Sequence, residues 1–192
     1  MNLLSLFRRK PHERPGFMLY GAAVGAARDG WFYERLGVPD TLDGRFDTVG
    51  LYVALLIRRL RTDPSPQGAA LAQAVFDAMF ADMDVNLREM GVGDLSVGKK
   101  VRAMWEAFHG RAKAYEAAVD AGDQAALAQA AQRNIWREEP GEAGPSQAAL
   151  ALAGHALGVA AHLAGQPLAG LLQGSVSFPA TPGTAEGNPH AA

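Results

Sequence analysis

Any chemistry in this chain would have to rest on oxygen and imidazole groups, because the chain holds no cysteine and therefore no disulfide, thiolate nucleophile or cysteine zinc site. Glu106 and His109 form a Glu-x-x-His pair, the spacing by which one helix turns both side chains toward a metal in di-iron carboxylate bundles. Such a centre needs two copies, and no second copy occurs. The same helical stripe carries Arg102 and Lys113, whose charges oppose a bound cation, so the residues favour an exposed, salt-bridged face. His155 and His162 share one face of an alanine-rich helix, a spacing open to haem ligation but more often that of ordinary surface or core histidines. Asp82, Asp84 and Asn86 imitate the start of a calcium loop, but Leu87 stands where the turn glycine belongs and Gly93 where the closing glutamate belongs. Neither a glycine-rich phosphate loop, a nucleophile elbow nor a catalytic triad pattern appears. The expectation is a protein that is not an enzyme and carries no metal or cofactor. The alternative is a helical metal- or haem-binding protein using Glu106 and His109, or His155 and His162.

Two other segments set charge close to apolar residues. In Gly37 to Asp47, Pro39 restricts the chain, Asp43-Gly44 reads as a turn, and Arg45 lies among Asp40, Asp43 and Asp47. This predicts an ordered, charged loop. In Asp77 to Asp94, Asp77, Asp84 and Arg88 fall at helical spacing, with Asp84 four residues before Arg88, the favourable order for an ion pair. The stretch from Trp31 to Tyr115 therefore reads as a partner-holding surface, with a solvated helix face and a well-formed turn as the plainer reading.

The elements that position these groups are helices. Val49, Tyr52, Val53, Leu56, Ile57 and Leu60 recur at three-and-four spacing between Asp47 and Arg61, widened by Leu51 and Leu55. So wide a stripe predicts deep burial. Arg58, Arg59 and Arg61 suit its last turn, and Pro64 and Pro66 stop it. A second helix runs from about Pro66 to Met90, with Phe76, Met79, Phe80, Met83, Leu87 and Met90 on one face, and Gly91 ends it in the left-handed position beside Val92. Asp94 or Ser96 caps a third, whose stripe includes Val97, Val101, Met104, Trp105, Phe108 and Tyr115. The tight turn makes the last two an antiparallel pair. Met79, Met83, Met90 and Met104 read chiefly as core filling. Phe17 to Arg28, Trp31 to Leu36, Asp123 to Arg137 and Pro145 to about Ala164 also read as helical. No alternating strand with hairpin turns is found, so the fold is all-α, with about six or seven helices.

A chain of 192 residues, 48% apolar, suffices for one compact domain with tails. Its 18 Lys and Arg against 20 Asp and Glu create no global field, so no specific nucleic-acid partner is expected. Residues 1–15 read as a flexible basic arm, residues 16–174 as the helical domain, and residues 175–192 as a disordered tail with no packed role. In the arm, Leu3, Leu4, Leu6 and Phe7 precede Arg8, Arg9 and Lys10, the reverse of a secretory signal. That order allows weak, reversible contact with an anionic membrane. The stretch from Ala148 to Leu172 is interrupted by His155, His162, Gln166 and Pro167 and is rich in alanine, so it is not read as a spanning helix.

Val38-Pro-Asp-Thr-Leu-Asp-Gly-Arg-Phe-Asp47, Phe76-Asp-Ala-Met-Phe-Ala-Asp-Met-Asp84, Leu87-Arg-Glu-Met-Gly-Val-Gly-Asp94 and Phe108-His-Gly-Arg111 with Tyr115 occur in that order. Together they resemble the ubiquinol-cytochrome c chaperone family, over roughly Leu19 to Arg137, which leaves the alanine-rich C-terminal region outside. The resemblance implies an all-helical, non-catalytic assembly factor for the cytochrome bc1 complex. Such a factor engages newly made cytochrome b, or another bc1 subunit, with a small companion assembly factor as a further partner. It brings no catalytic residue. The motif surface it implies for partner binding is Asp40, Asp43, Arg45, Asp77, Asp84, Arg88, Glu89 and Asp94. The chain lacks the targeting presequence of mitochondrial members, which implies a bacterial cytoplasmic setting, peripheral at the inner membrane, with Arg8, Arg9 and Lys10 aiding the approach.

Overall fold

The computed structural model describes residues 12–183. The apolar and basic residues of the arm, Leu3 to Lys10, and the last nine residues of the expected tail lie outside that range. Among the described residues are seven α-helices and two π-helical turns: α1 (Glu13–Ala27), the turn Trp31–Arg35, α2 (Leu42–Arg61), α3 (Pro66–Glu89), α4 (Asp94–Ala121), α5 (Gln124–Ala131) running into the turn Gln132–Trp136, α6 (Gln147–Ala164) and α7 (Leu168–Leu172). No strand occurs among them beyond an isolated bridge between Gly141 and Gly144. The all-α expectation holds.

Helix α2 is the axis of the core. Fourteen of its twenty residues are buried, so it is wrapped on nearly all sides by α1, α3, α4 and α6. Its basic last turn anchors neighbours. Arg59 donates to the carbonyl of Leu163 in the last turn of α6 (3.1 Å) and to that of Gln166 just beyond it (2.7 Å), which fastens the end of α6 to α2. Arg58 meets Asp120 of α4 at 2.6 Å.

Helix α3 packs most extensively on α1, with α2 next. The α1–α3 crossing depends on Gly16: a Cβ there would lie 2.7 Å from the carbonyl carbon of Ala74, so the backbones approach as only glycine allows. Tyr20 fastens the same pair, donating its hydroxyl to Asp82 at 2.7 Å. Burial and this hydrogen bond both hold the phenol in its neutral form.

Helix α6 is long and apolar enough by composition to cross a membrane. Here Leu152, Ala153, Ala156, Val159 and Leu163 are buried against α5 and α2. The reading of residues 175–192 as an unpacked tail is corrected for residues 175–183. Val176 and Phe178 pack on the core, Phe178 edge-on to Tyr52 with ring centroids 5.3 Å apart. Gln166 both accepts from the Ser177 amide (3.0 Å) and donates to its carbonyl (2.8 Å). The signal for this strap was one aromatic residue in a segment of small and turn-forming residues. Helix α1 also begins earlier than the expected boundary at residue 16, at Glu13.

Candidate partner-binding surface

Helix α3 ends in a Schellman turn. Gly91 takes φ +79°, the Val92 amide donates to Leu87 (3.0 Å) and the Gly91 amide to Arg88 (2.9 Å), as its sequence implies. The cap of α4 differs from expectation. Gly93 occupies the N-cap, with no side-chain cap bond from Asp94 or Ser96. Asp94 is instead the first helical residue, favourable for a carboxylate at the dipole's positive end, and its side chain pairs with Arg88. Arg88 also holds Asp84 at 2.6 Å, so the predicted ion pair forms and gains a third member across the turn. All three side chains are well exposed, a setting in which ion pairs add little stability. Around them Val85, Met90 and Leu95 stand uncovered, Leu95 completely so. Met79, by contrast, is fully buried, and Met83 and Met104 are half-buried against the core. The α3–α4 tip is therefore an amphipathic knob.

The charged loop is shorter than predicted. Asp43 and Gly44 do not form a turn; they lie in the first turn of α2, which Thr41 caps by accepting the Gly44 amide at 3.2 Å. The helix wins here because Thr41 supplies the cap and because Phe46 continues the buried stripe. Gly44 meets a packing demand: a Cβ would fall on the carbonyl oxygen of Pro39. Arg45 does not bridge three aspartates. It takes Asp40 alone, at 2.6 Å, and this hydrogen bond holds the Asp40 carboxyl below its ordinary value. Asp43 turns to Arg137, 3.5 Å away.

Asp47 stands among the charges of the predicted loop but outside the expected binding surface. Its side chain is wholly buried, paired with Arg111 of α4 and, at 3.0 Å, with Arg137 beyond α5. Arg137 itself closes the π-helical turn in the left-handed conformation, φ 60°. One carboxylate thus ties together α2, α4 and the chain leaving α5. Burial pushes the Asp47 carboxyl up to about 6, the two arginines pulling against it. The available signal was a lone aspartate inside the buried stripe of α2.

Three of the four segments that carry the family likeness meet around this clasp, Phe76 to Asp84 being the exception. Leu42 and Phe46 of α2, Leu87 of α3, and Met104 and Arg111 of α4 line one open groove of about 340 Å³, with Arg137 at its edge. Asp43 and Lys100 line it as well, and Leu87 joins it to the last turn of α3, where Arg88 holds Asp84 and Asp94. Glu89 is exposed at the end of α3. Asp77 stands apart: it accepts a hydrogen bond from Gln73 (2.8 Å) and lines a different groove, between α1 and α3.

The residues of the metal and haem alternative are engaged in other ways. Glu106 pairs with Arg102 at 3.0 Å, and His109 stacks on Trp105 with ring centroids 4.1 Å apart while its Nδ1 lies 3.0 Å from the Trp105 carbonyl. His155 lies 2.8 Å from the Tyr52 hydroxyl, burial favouring its neutral form, and His162 meets Ser177 at 2.9 Å. Among the described residues no three His, Asp or Glu side chains gather as a metal site would require.

Fold and surface together define an all-helical scaffold whose exposed face mixes ion pairs with uncovered apolar side chains, as protein-binding surfaces do. The sequence matches the ubiquinol-cytochrome C chaperone family over residues 34–178. The crystal structure of the Cbp3 homolog from Brucella abortus is similar at 35% identity and a TM-score of 0.77, over 94% of this chain and 98% of that one. The ubiquinol-cytochrome-c reductase complex assembly factor 1 of Xenopus laevis is 24% identical over 108 residues, 56% of this chain; the match spans 53% of that relative, about half its length. The chain belongs to the ubiquinol-cytochrome c chaperone family. The expected resemblance covers roughly Leu19 to Arg137; the matched region begins at Glu34 and reaches Phe178, so it takes in α6, α7 and the first residues of the strap.

Proposed function

We propose that this protein is a non-catalytic assembly chaperone of ubiquinol-cytochrome c reductase that holds newly made cytochrome b, acting at the cytoplasmic face of a bacterial inner membrane. The observation that carries the reading is the convergence of three of the family-like segments on one groove beside an amphipathic knob. A membrane subunit awaiting its partners presents apolar helix ends next to cytoplasmic loops enriched in lysine and arginine. The carboxylates of Asp40, Asp43, Asp84 and Asp94 suit the loops, and uncovered Met90 and Leu95 suit the apolar ends. Arg45 holds Asp40, Arg88 holds Asp84 and Asp94, and Arg137 holds Asp43 in place.

Deleting the gene in a strain without a paralogue should lower bc1 activity and the level of cytochrome b; unchanged values would refute the assignment. Affinity-tagged chain should co-purify with cytochrome b. Asp84→Lys, which puts a cation beside Arg88, should weaken that capture about tenfold, in line with a charge clash worth about 1.4 kcal/mol. Circular dichroism should remain helical, because the pair is exposed. Capture equal to wild type would remove the knob from the binding surface.

A further inference from the structure

Helices α1 and α3 leave an open groove of about 390 Å³ between them. Ala74, Ala78 and Ala81 form one side, so the α3 backbone lies close beneath the surface, and Phe17, 46% exposed, forms the other. Two carboxylates, Glu13 and Asp77, share the lining. An apolar slot with a negative rim fits a segment whose apolar side chains are followed by cations.

The chain carries such a segment immediately before this groove. Leu3, Leu4, Leu6 and Phe7 precede Arg8, Arg9 and Lys10, and three residues later Glu13 opens α1 and lines the slot. Helix α1 starts after His12, which takes the left-handed conformation (φ 64°, ψ 17°) and so stands outside the helix. Ten residues reach up to roughly 33 Å, while α3 runs only about 17 Å from Ala70 to Ala81 at ~1.5 Å per residue. A segment tethered this close faces the groove at an effective concentration in the millimolar range, which favours it over a free competitor.

We propose that residues 1–10 dock in the α1–α3 groove of their own chain, the apolar side chains against the alanine face and Arg8, Arg9 and Lys10 toward Glu13 and Asp77. Docking and membrane contact are then mutually exclusive, because both use the same four apolar side chains. Release of the arm uncovers the groove and frees the arm for an anionic bilayer in one step.

The absence of native cysteine allows one nitroxide label to be placed at Ser5→Cys in the full chain. Amide signals of residues 70–81 should lose more than about half their intensity in the labelled chain while those of α6 keep theirs, since only a tethered arm in the groove stays close to α3. Arg8→Glu, Arg9→Glu and Lys10→Glu combined should restore most of that loss. Uniform broadening, no broadening, or broadening indifferent to the charge reversal would overturn the proposal. So would broadening that passes from a labelled chain to an isotope-labelled, cysteine-free one, which identifies a second copy as the occupant. Broadening seen only after phosphatidylglycerol vesicles are added would overturn it in favour of the membrane.

Discussion

Arg111→Met is expected to lower stability by about 3–5 kcal/mol at pH 7, read as a drop in the urea midpoint at unchanged slope. The substitution keeps much of the apolar stem but leaves Asp47 buried with only Arg137, itself half-exposed, to balance it. Orphaning a buried charge costs more than the pair contributes. The direction of the pH effect follows from Asp47 itself. Burial raises its folded value from 3.8 to about 6, so the folded chain holds this proton more tightly than the unfolded one. The associated stabilisation is complete below the unfolded value and is lost as pH rises through about 6, an effect on the order of 3 kcal/mol at most. This is opposite in sign to the usual exposed carboxylate. In Arg111→Met the carboxyl should rise further and protonate near neutrality, so the deficit against wild type should shrink below pH 5. Asp47→Asn should flatten the pH dependence and cost less than Arg111→Met, since its amide oxygen still accepts from Arg111 without a buried charge. Equal losses in the two variants at every pH would show that shape, not charge, holds the clasp.

Gly44→Ala is the second large effect, an expected loss of about 3 kcal/mol or more in thermal or urea unfolding. The added methyl falls on the Pro39 carbonyl oxygen, a backbone atom held by the chain's entry into α2, so no side-chain rotation relieves it. Because Leu42 and Phe46 line the groove from the same turn, the shift should also reduce the proposed capture of cytochrome b. Gly110→Ala gives the contrast. Gly110 lies inside α4 with open space around its Cβ position, and alanine there should stabilise the helix by about 0.5–1 kcal/mol. Helix propensity favours alanine at both sites, so comparable destabilisation by both substitutions would show that the Gly44 loss does not come from its contact with Pro39.

Much of the scaffold was legible because it is local. The all-round apolar pattern of α2, the Gly91 ending with Val92 returning to Leu87, and the Asp84–Arg88 pair are each set within one or two helical turns. The Asp43-Gly44 reading failed on competing local signals: a dipeptide common in turns is also compatible with a first helical turn once Thr41 caps it. Phe178 was missed because a lone aromatic in a turn-rich segment declares no periodicity, and its burial depends on the distant Tyr52.

Helical class, element order and the amphipathic charge of the α3–α4 region follow from the sequence by itself, since hydrophobic period and capping act between near neighbours. Tertiary structure alone decided which charges serve as a surface and which hold the core. Asp40, Arg45, Asp84, Arg88 and Asp94 stay in solvent, while Asp47 finds Arg111 and Arg137, 64 and 90 residues away. Desolvation depends on what packs overhead, and no spacing along a single helix carries that information.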